Sequence, residues 1–209
     1  LDDHQSLVAT VDFFTPVVDD PYNYGAIAAA NALSDVYSMG GKPLFALNIS
    51  ALPATLPLKI TQTIIRGAAE KALEAGVVIA GGHSVKDEEP KFGLVALGIV
   101  KNDQLLTKSG ACPGDRLFLS KPLGTGVITT ALKRGLTSKD ELADAVTWMK
   151  RLNRDAAQLA VDFGLHGATD VTGFGLIGHA MEMAEASGVS LRIHYSSIPL
   201  MKAAQKYAE

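Results

Sequence analysis

Along the first hundred residues the apolar positions change period several times, and each change marks an element. Ser6 to Phe14 (SLVATVDFF) is rich in β-branched and aromatic side chains and predicts a strand. Asp19-Asp20-Pro21 is turn chemistry, and alanines then dominate Gly25 to Met39, which predicts a helix stopped by Gly40-Gly41. Pro43 cannot continue a helix, and Leu44 to Ile49 is an apolar run of strand length. Leu58 to Glu74 carries apolar residues at helical spacing with Lys and Glu opposite, and ends at Gly76. Val77 to Ala80 reads as a short buried strand running into a Gly81-Gly82-His83-Ser84 loop. The charged loop Lys86 to Glu89 follows, then a strand over Phe92 to Val100.

The pattern restarts after a mixed, polar stretch at 101–113. Arg116 to Ser120 predicts a strand, Gly126 to Lys133 a helix, and Asp140 to Phe163 one long amphipathic helix. Ala168 to Asp170 leads into the glycine-rich turn Thr172-Gly173-Phe174-Gly175. A helix over Leu176 to Ala186, a strand over Val189 to Tyr195 and a helix from Met201 complete the pattern. The expectation is an α/β (α+β) chain in two pieces, 1–106 and 107–209, the second incomplete. The opening at Leu1 and the close at Glu209 inside a helical pattern suggest an excised piece of a longer polypeptide.

Composition narrows the function classes. A formal net charge of −3 supplies no basic face for nucleic acid. One cysteine excludes an intrachain disulfide framework and fits a reducing, cytoplasmic setting. The apolar runs are too short to cross a bilayer, so no membrane partner is expected.

Three places set a carboxylate beside flexible backbone. Asp12 ends the first strand and reads either as a turn-capping aspartate or as a ligand. Asn31 and Asp35 are four apart and share one helix face, with no cation among Ala28, Ala29, Ala30, Ala32 and Leu33 to pair with Asp35. That carboxylate is either solvated on an outer face or met by something positive, and a divalent cation holding a polyphosphate would serve. Asp170 precedes glycines that enter a helix, where backbone N–H groups and the helix dipole favour an anion. It is either an N-cap or a ligand of Mg²⁺, which takes one or two carboxylates together with phosphate oxygens and water. Gly81 to Ser84 is a second, weaker donor loop. No P-loop and no G-x-G-x-x-G after the first strand occur, and the histidines lack metal-ligand spacing. His179 reads as structural, Cys112 as incidental and Lys42 as a surface lysine.

Together these stretches resemble the selenophosphate synthetases (selenide, water dikinases) of the aminoimidazole ribonucleotide synthetase-like superfamily. The resemblance rests on Val11-Asp12-Phe13-Phe14-x-Pro16, Asp20-Pro21, Ile27 through Tyr37 (IAAANALSDVY) and Met39-Gly40-Gly41-Lys42-Pro43. It continues in Ala80-Gly81-Gly82-His83-Ser84 with Glu89-Pro90, and in Thr169 through Leu176 (TDVTGFGL) with Gly178-His179. It covers essentially the whole chain. The resemblance implies a two-domain fold, an N-terminal mixed sheet with helices on one side followed by a partial C-terminal α/β domain, and a homodimer paired through the sheets. It implies conversion of ATP, selenide and water to selenophosphate, AMP and phosphate.

Carried over by motif, Asp12 and Asp35 would bind Mg²⁺ and the ATP phosphates, and Asp170 would add a metal ligand. Gly82, His83 and Ser84 would contact nucleotide from the partner subunit. The family's reactive cysteine or selenocysteine and its lysine lie ahead of the first strand, upstream of Leu1, so no catalytic residue is assigned here and the chain alone is expected to be inactive. The alternatives are another small-metabolite ATP-dependent phosphotransferase of the superfamily and a non-catalytic nucleotide-binding paralogue.

Overall fold

A computed structural model describes residues 1–208. The first half runs β1 (Gln5–Phe14), α1 (Pro21–Ser38), β2 (Lys42–Leu52), α2 (Leu58–Glu74), β3 (Val78–Lys86) and β4 (Lys91–Lys101). The strands form one sheet in the order β1-β4-β2-β3, with β4 antiparallel to β1 and β2, and β3 parallel to β2 across α2. The mixed sheet with helices on one side is the expected α/β architecture.

Strand alternation sorts β1 into two faces. Val8, Thr10, Asp12 and Phe14 turn toward the helices, while Leu7, Val11 and Phe13 lie exposed on the opposite face. The helix-covered face holds the main core, where Leu33, Val36, Phe92, Leu94 and Ala96 are fully buried. Asp20 caps α1 by accepting the Asn23 N–H at 2.7 Å, and Pro21 opens the helix, earlier than the alanine run suggested. Tyr24 packs edge-on between Phe14 and Phe92 and donates its hydroxyl to the Phe14 carbonyl; burial pushes that phenol up to about 12.

The alanines and glycines of α1 set how closely it lies on α2. A Cβ on Gly25 would stand 1.9 Å from the Ile64 carbonyl oxygen, and one on Gly67 2.1 Å from that of Tyr22. The two helices touch backbone to backbone, so larger residues at either position are excluded.

The second half carries α3 (Thr125–Lys133), α4 (Lys139–Lys150), α5 (Arg154–Asp162), α6 (Gly175–Ser187) and α7 (Lys202–Tyr207). A small second core joins Ile128, Ala145, Met201 and Ala204. Three expectations fail here or at β3. The strands expected at Arg116 to Ser120 and Val189 to Tyr195 do not form; among the described residues neither stretch finds a neighbour with which to build a ladder. The single helix expected over Asp140 to Phe163 is broken at Arg151–Asn153, because Leu152 turns into the core of the first half. Gly81 to Ser84, expected as a loop, belongs to β3 and pairs with Leu47 to Ser50 of β2. Gly82 is needed there: its φ is +152° and a Cβ would come within 2.3 Å of the Asn48 carbonyl oxygen.

Candidate functional site

Two periodicities meet where α1 crosses β1. Thr10 and Asp12, two apart on a strand, share the helix-covered face; Asn31 and Asp35, four apart on a helix, share the face turned to them. The Thr10 hydroxyl donates to Asp35 Oδ2 at 2.5 Å, and the Asn31 amide donates to Asp12 Oδ2. Asp12 is therefore no turn cap, and Asp35 is half-buried against the sheet rather than solvated on an outer face.

Asp170 arrives from the second half. It does not cap α6, whose N-cap is Phe174 with no side-chain bond to the helix end. Its Oδ2 is buried without a hydrogen-bond partner among the described residues. The Ser34 hydroxyl, on α1 beside Asp35, acts on the same carboxyl as a hydrogen-bond donor. Ser34 in turn accepts the Asn153 amide at 2.8 Å.

The electrostatics place the three carboxylates in one field. Burial raises the Asp12 carboxyl above its ordinary range; Asp35 repulsion adds to this, Asn31 opposes it, and Asp170 adds a further push. Burial likewise raises Asp170, with Ser34 pulling down, Asp35 pushing up and His179 pulling down. Residues far apart in sequence are thus assembled as one acidic cluster that repels itself. Lys121 is the nearby cation; burial pushes its ammonium down to about 8, helped by Arg151 and Lys71 and opposed by Asp170.

His179, buried on α6, holds the turn after Asp170: its Nε2 accepts the Thr172 N–H at 3.1 Å, and its Nδ1 stands 3.7 Å from Glu182 Oε2. Accepting at Nε2 puts the ring proton on Nδ1. This is the structural role its sequence suggested.

Gly82, His83 and Ser84 do not join the carboxylates within one chain. The register aligns Asp12 with Leu94, Leu94 with Asn48 and Asn48 with Gly82, so Gly82 lies in the row of Asp12 but three strands away, about 14 Å. All three residues are exposed on the edge strand. Sequence reasoning missed Thr10, Ser34 and Asn153. Thr10 was recoverable from its two-residue spacing to Asp12; Ser34 and Asn153 are identified only by the tertiary contact between them.

Comparison with known proteins follows this geometry. The family described as AIR synthase related protein, N-terminal domain, matches residues 1–100, and the C-terminal domain of the same family matches residues 112–209. The "Selenide, water dikinase 2" of Peptoclostridium acidaminophilum is 47% identical over 209 residues, covering 100% of this chain and 60% of that protein. The "Selenide, water dikinase" of Caldanaerobacter subterraneus subsp. tengcongensis is 50% identical, again over 100% of this chain and 60% of its own length. The chain therefore spans about three-fifths of these curated relatives. Among solved structures, hydrogenase maturation protein HypE in complex with ATP superposes with a TM-score of 0.85 at 20% identity, covering 97% of this chain and 62% of that one. Thiamine-monophosphate kinase from Stenotrophomonas maltophilia gives 0.83 at 22% identity, covering 95% and 66%. These two establish the fold. With near-half identity along its whole length and both domains of one family matched in order, the chain belongs to the AIR synthase related family and, within it, to the selenide, water dikinases.

Proposed function

We propose that the protein of which this chain is part makes selenophosphate from ATP, selenide and water, releasing AMP and phosphate. Asp12, Asp35 and Asp170 hold Mg²⁺ against the ATP phosphates in this reading. The observation that carries it is the assembly of these carboxylates from three separate segments into one mutually repelling cluster, with a buried Asp170 oxygen left without a donor. A buried carboxylate that lacks a protein donor is costly unless a cation meets it.

The donor set suits Mg²⁺. Its atoms are hard carboxylate oxygens, and among the described residues no three His, Cys, Asp or Glu side chains form a closed metal cage. That is the arrangement for an ion that takes one or two carboxylates and completes its shell with phosphate and water. The chemistry a bound Mg²⁺ supplies is dispersal of the charge developing on the transferred phosphoryl oxygens. This chain's residues do the rest: Thr10 and Asn31 fix the rotamers of Asp35 and Asp12, and the His179-pinned turn keeps the backbone at Thr172 in place. Rigid positioning of this kind is the larger part of phosphoryl-transfer catalysis.

The reading extends to organisation. Residues 1–106 form the nucleotide-binding and dimerising unit and 107–209 the unit that adds Asp170. Two protomers pair through the uncovered sheet face, and Gly82, His83 and Ser84 of one protomer reach the nucleotide held by its partner. Exposed Leu7, Val11 and Phe13 on that face, and the edge position of β3 far from Asp12, support this pairing. No helix among the described residues is long and apolar enough to cross a membrane; the single cysteine supports placing the protein in the cytoplasm.

The test is Asp35→Asn in the full-length protein. Selenide-dependent AMP formation falls by at least ~100-fold while the circular-dichroism melt is preserved, because α1 does not need that charge to fold. Wild-type turnover in the mutant removes Asp35 from the site.

A further inference from the structure

The break between α4 and α5 is the tightest joint between the halves. Within five residues Lys150 donates to Asn23 Oδ1 at 2.7 Å, Leu152 enters the first core, Asn153 donates to Ser34 Oγ at 2.8 Å, and Arg154 donates to the Glu74 carbonyl at 3.1 Å. The Lys121 ammonium holds the Arg151 carbonyl from the other side. Nothing in the local sequence asks for a break here: no glycine or proline occurs between Ser138 and Phe163. Tertiary contact imposes it.

The Asn153 contact has a direction. The asparagine amide donates to a lone pair of Ser34, so the serine hydroxyl proton remains free and is given to Asp170. Ser34 is only 5% exposed, so no bulk water competes for that proton. A chain of donors thus runs from the elbow through Ser34 to the carboxylate, and Ser34 adjoins Asp35 on α1.

We propose that Asn153 is a positioning residue for the metal–nucleotide site: by orienting the Ser34 hydroxyl toward Asp170 it sets that carboxylate's placement relative to Asp35. The proposal rests on the reading of Asp12, Asp35 and Asp170 as the Mg²⁺–ATP site. Asn153 touches neither metal nor nucleotide; it acts through Ser34, as outer-shell partners act on metal ligands elsewhere at a cost of about 10–100-fold when lost.

The test uses the full-length protein and a non-hydrolysable ATP analogue, titrated calorimetrically with and without Mg²⁺. Asn153→Asp keeps the size but replaces the donor with an acceptor, which draws the Ser34 proton away from Asp170. Its affinity for the analogue in Mg²⁺ falls about tenfold, while its affinity without Mg²⁺ is unchanged. Asn153→Ala, which removes the donor without adding charge, gives a smaller loss of the same Mg²⁺-specific kind and serves if the aspartate variant does not fold. Asp35→Asn is measured alongside. If Asp35→Asn loses Mg²⁺-dependent binding and both Asn153 variants keep wild-type affinity, or lose affinity equally with and without Mg²⁺, the positioning role is overturned and the site stands. If Asp35→Asn itself binds as wild type, the site reading fails first, and this proposal with it.

Discussion

The two halves of the chain solve the problem of holding a carboxylate in different ways. In the first, Asp12 and Asp35 stand on a strand and a helix whose contact is fixed by a sheet, a large core and a helix pair in backbone contact. In the second, Asp170 stands on an irregular segment beside a small core, kept in place by His179 on one side and Ser34 on the other. Rigid elements place the first pair through spacing alone, whereas the third depends on a few polar contacts that cross the joint. Precision in the second half is therefore borrowed from the first.

The sharpest way to break this contrast is at the helix crossing. Gly25→Ala inserts a methyl 1.9 Å from the Ile64 carbonyl oxygen and forces α1 off α2. It destabilises by about 3 kcal/mol in urea unfolding. A loss below about 1 kcal/mol would mean that the first half yields as easily as the second.

A smaller effect sharpens the electrostatic side. Asp12 and Asp170 have raised folded-state pKa values, so their charges cost stability when ionised. The metal-free protein is most stable with respect to these groups below their unfolded values near 3.8 and loses that advantage as pH rises through the raised folded values. Asp12→Asn removes the repulsion. At pH 7 without Mg²⁺ it raises the melting temperature by about 2 °C, a figure reduced because the carboxyl is half-exposed and screened. The gain shrinks at pH 4 and reverses when Mg²⁺–ATP is added. An equal gain at both pH values would show that Asp35 and Asp170 do not act on it.

The smallest effect returns to glycine. A Cβ on Gly126, in the first turn of α3, meets nothing within 4 Å. Gly126→Ala stabilises by about 0.5 kcal/mol. The same substitution thus has opposite signs in the two halves.

What could be read from the sequence follows the same division. Pairs spaced by the period of one element, Asn31 with Asp35 and the alternation around Asp12, were legible because a helix or strand fixes their common face. Leu58–Glu74 was bounded correctly because its apolar spacing, its charges and Gly76 all agree. The α4–α5 break was not legible, since helix-forming residues run through it and only burial of Leu152 ends the first helix. Gly81-Gly82 looked like a loop because two glycines usually mark one; their reason is close approach of the Asn48 backbone within a ladder. The strands expected near Phe118 and Arg192 had suitable composition, but a strand exists only beside a neighbour. Ser34 lay inside the quoted motif and still gave no sign of its part, because its partners arrive from 119 residues away and farther.

One detail of the joint has a practical outcome. Trp148, the chain's one tryptophan, closes α4 at the elbow with the Arg151 guanidinium 5.4 Å above its ring. An indole's emission colour responds to charge held over its face, so any rearrangement of the joint shifts the fluorescence of a single, unambiguous chromophore. The molecule carries its own optical gauge of how its halves sit together, readable in a stopped-flow cell without a dye.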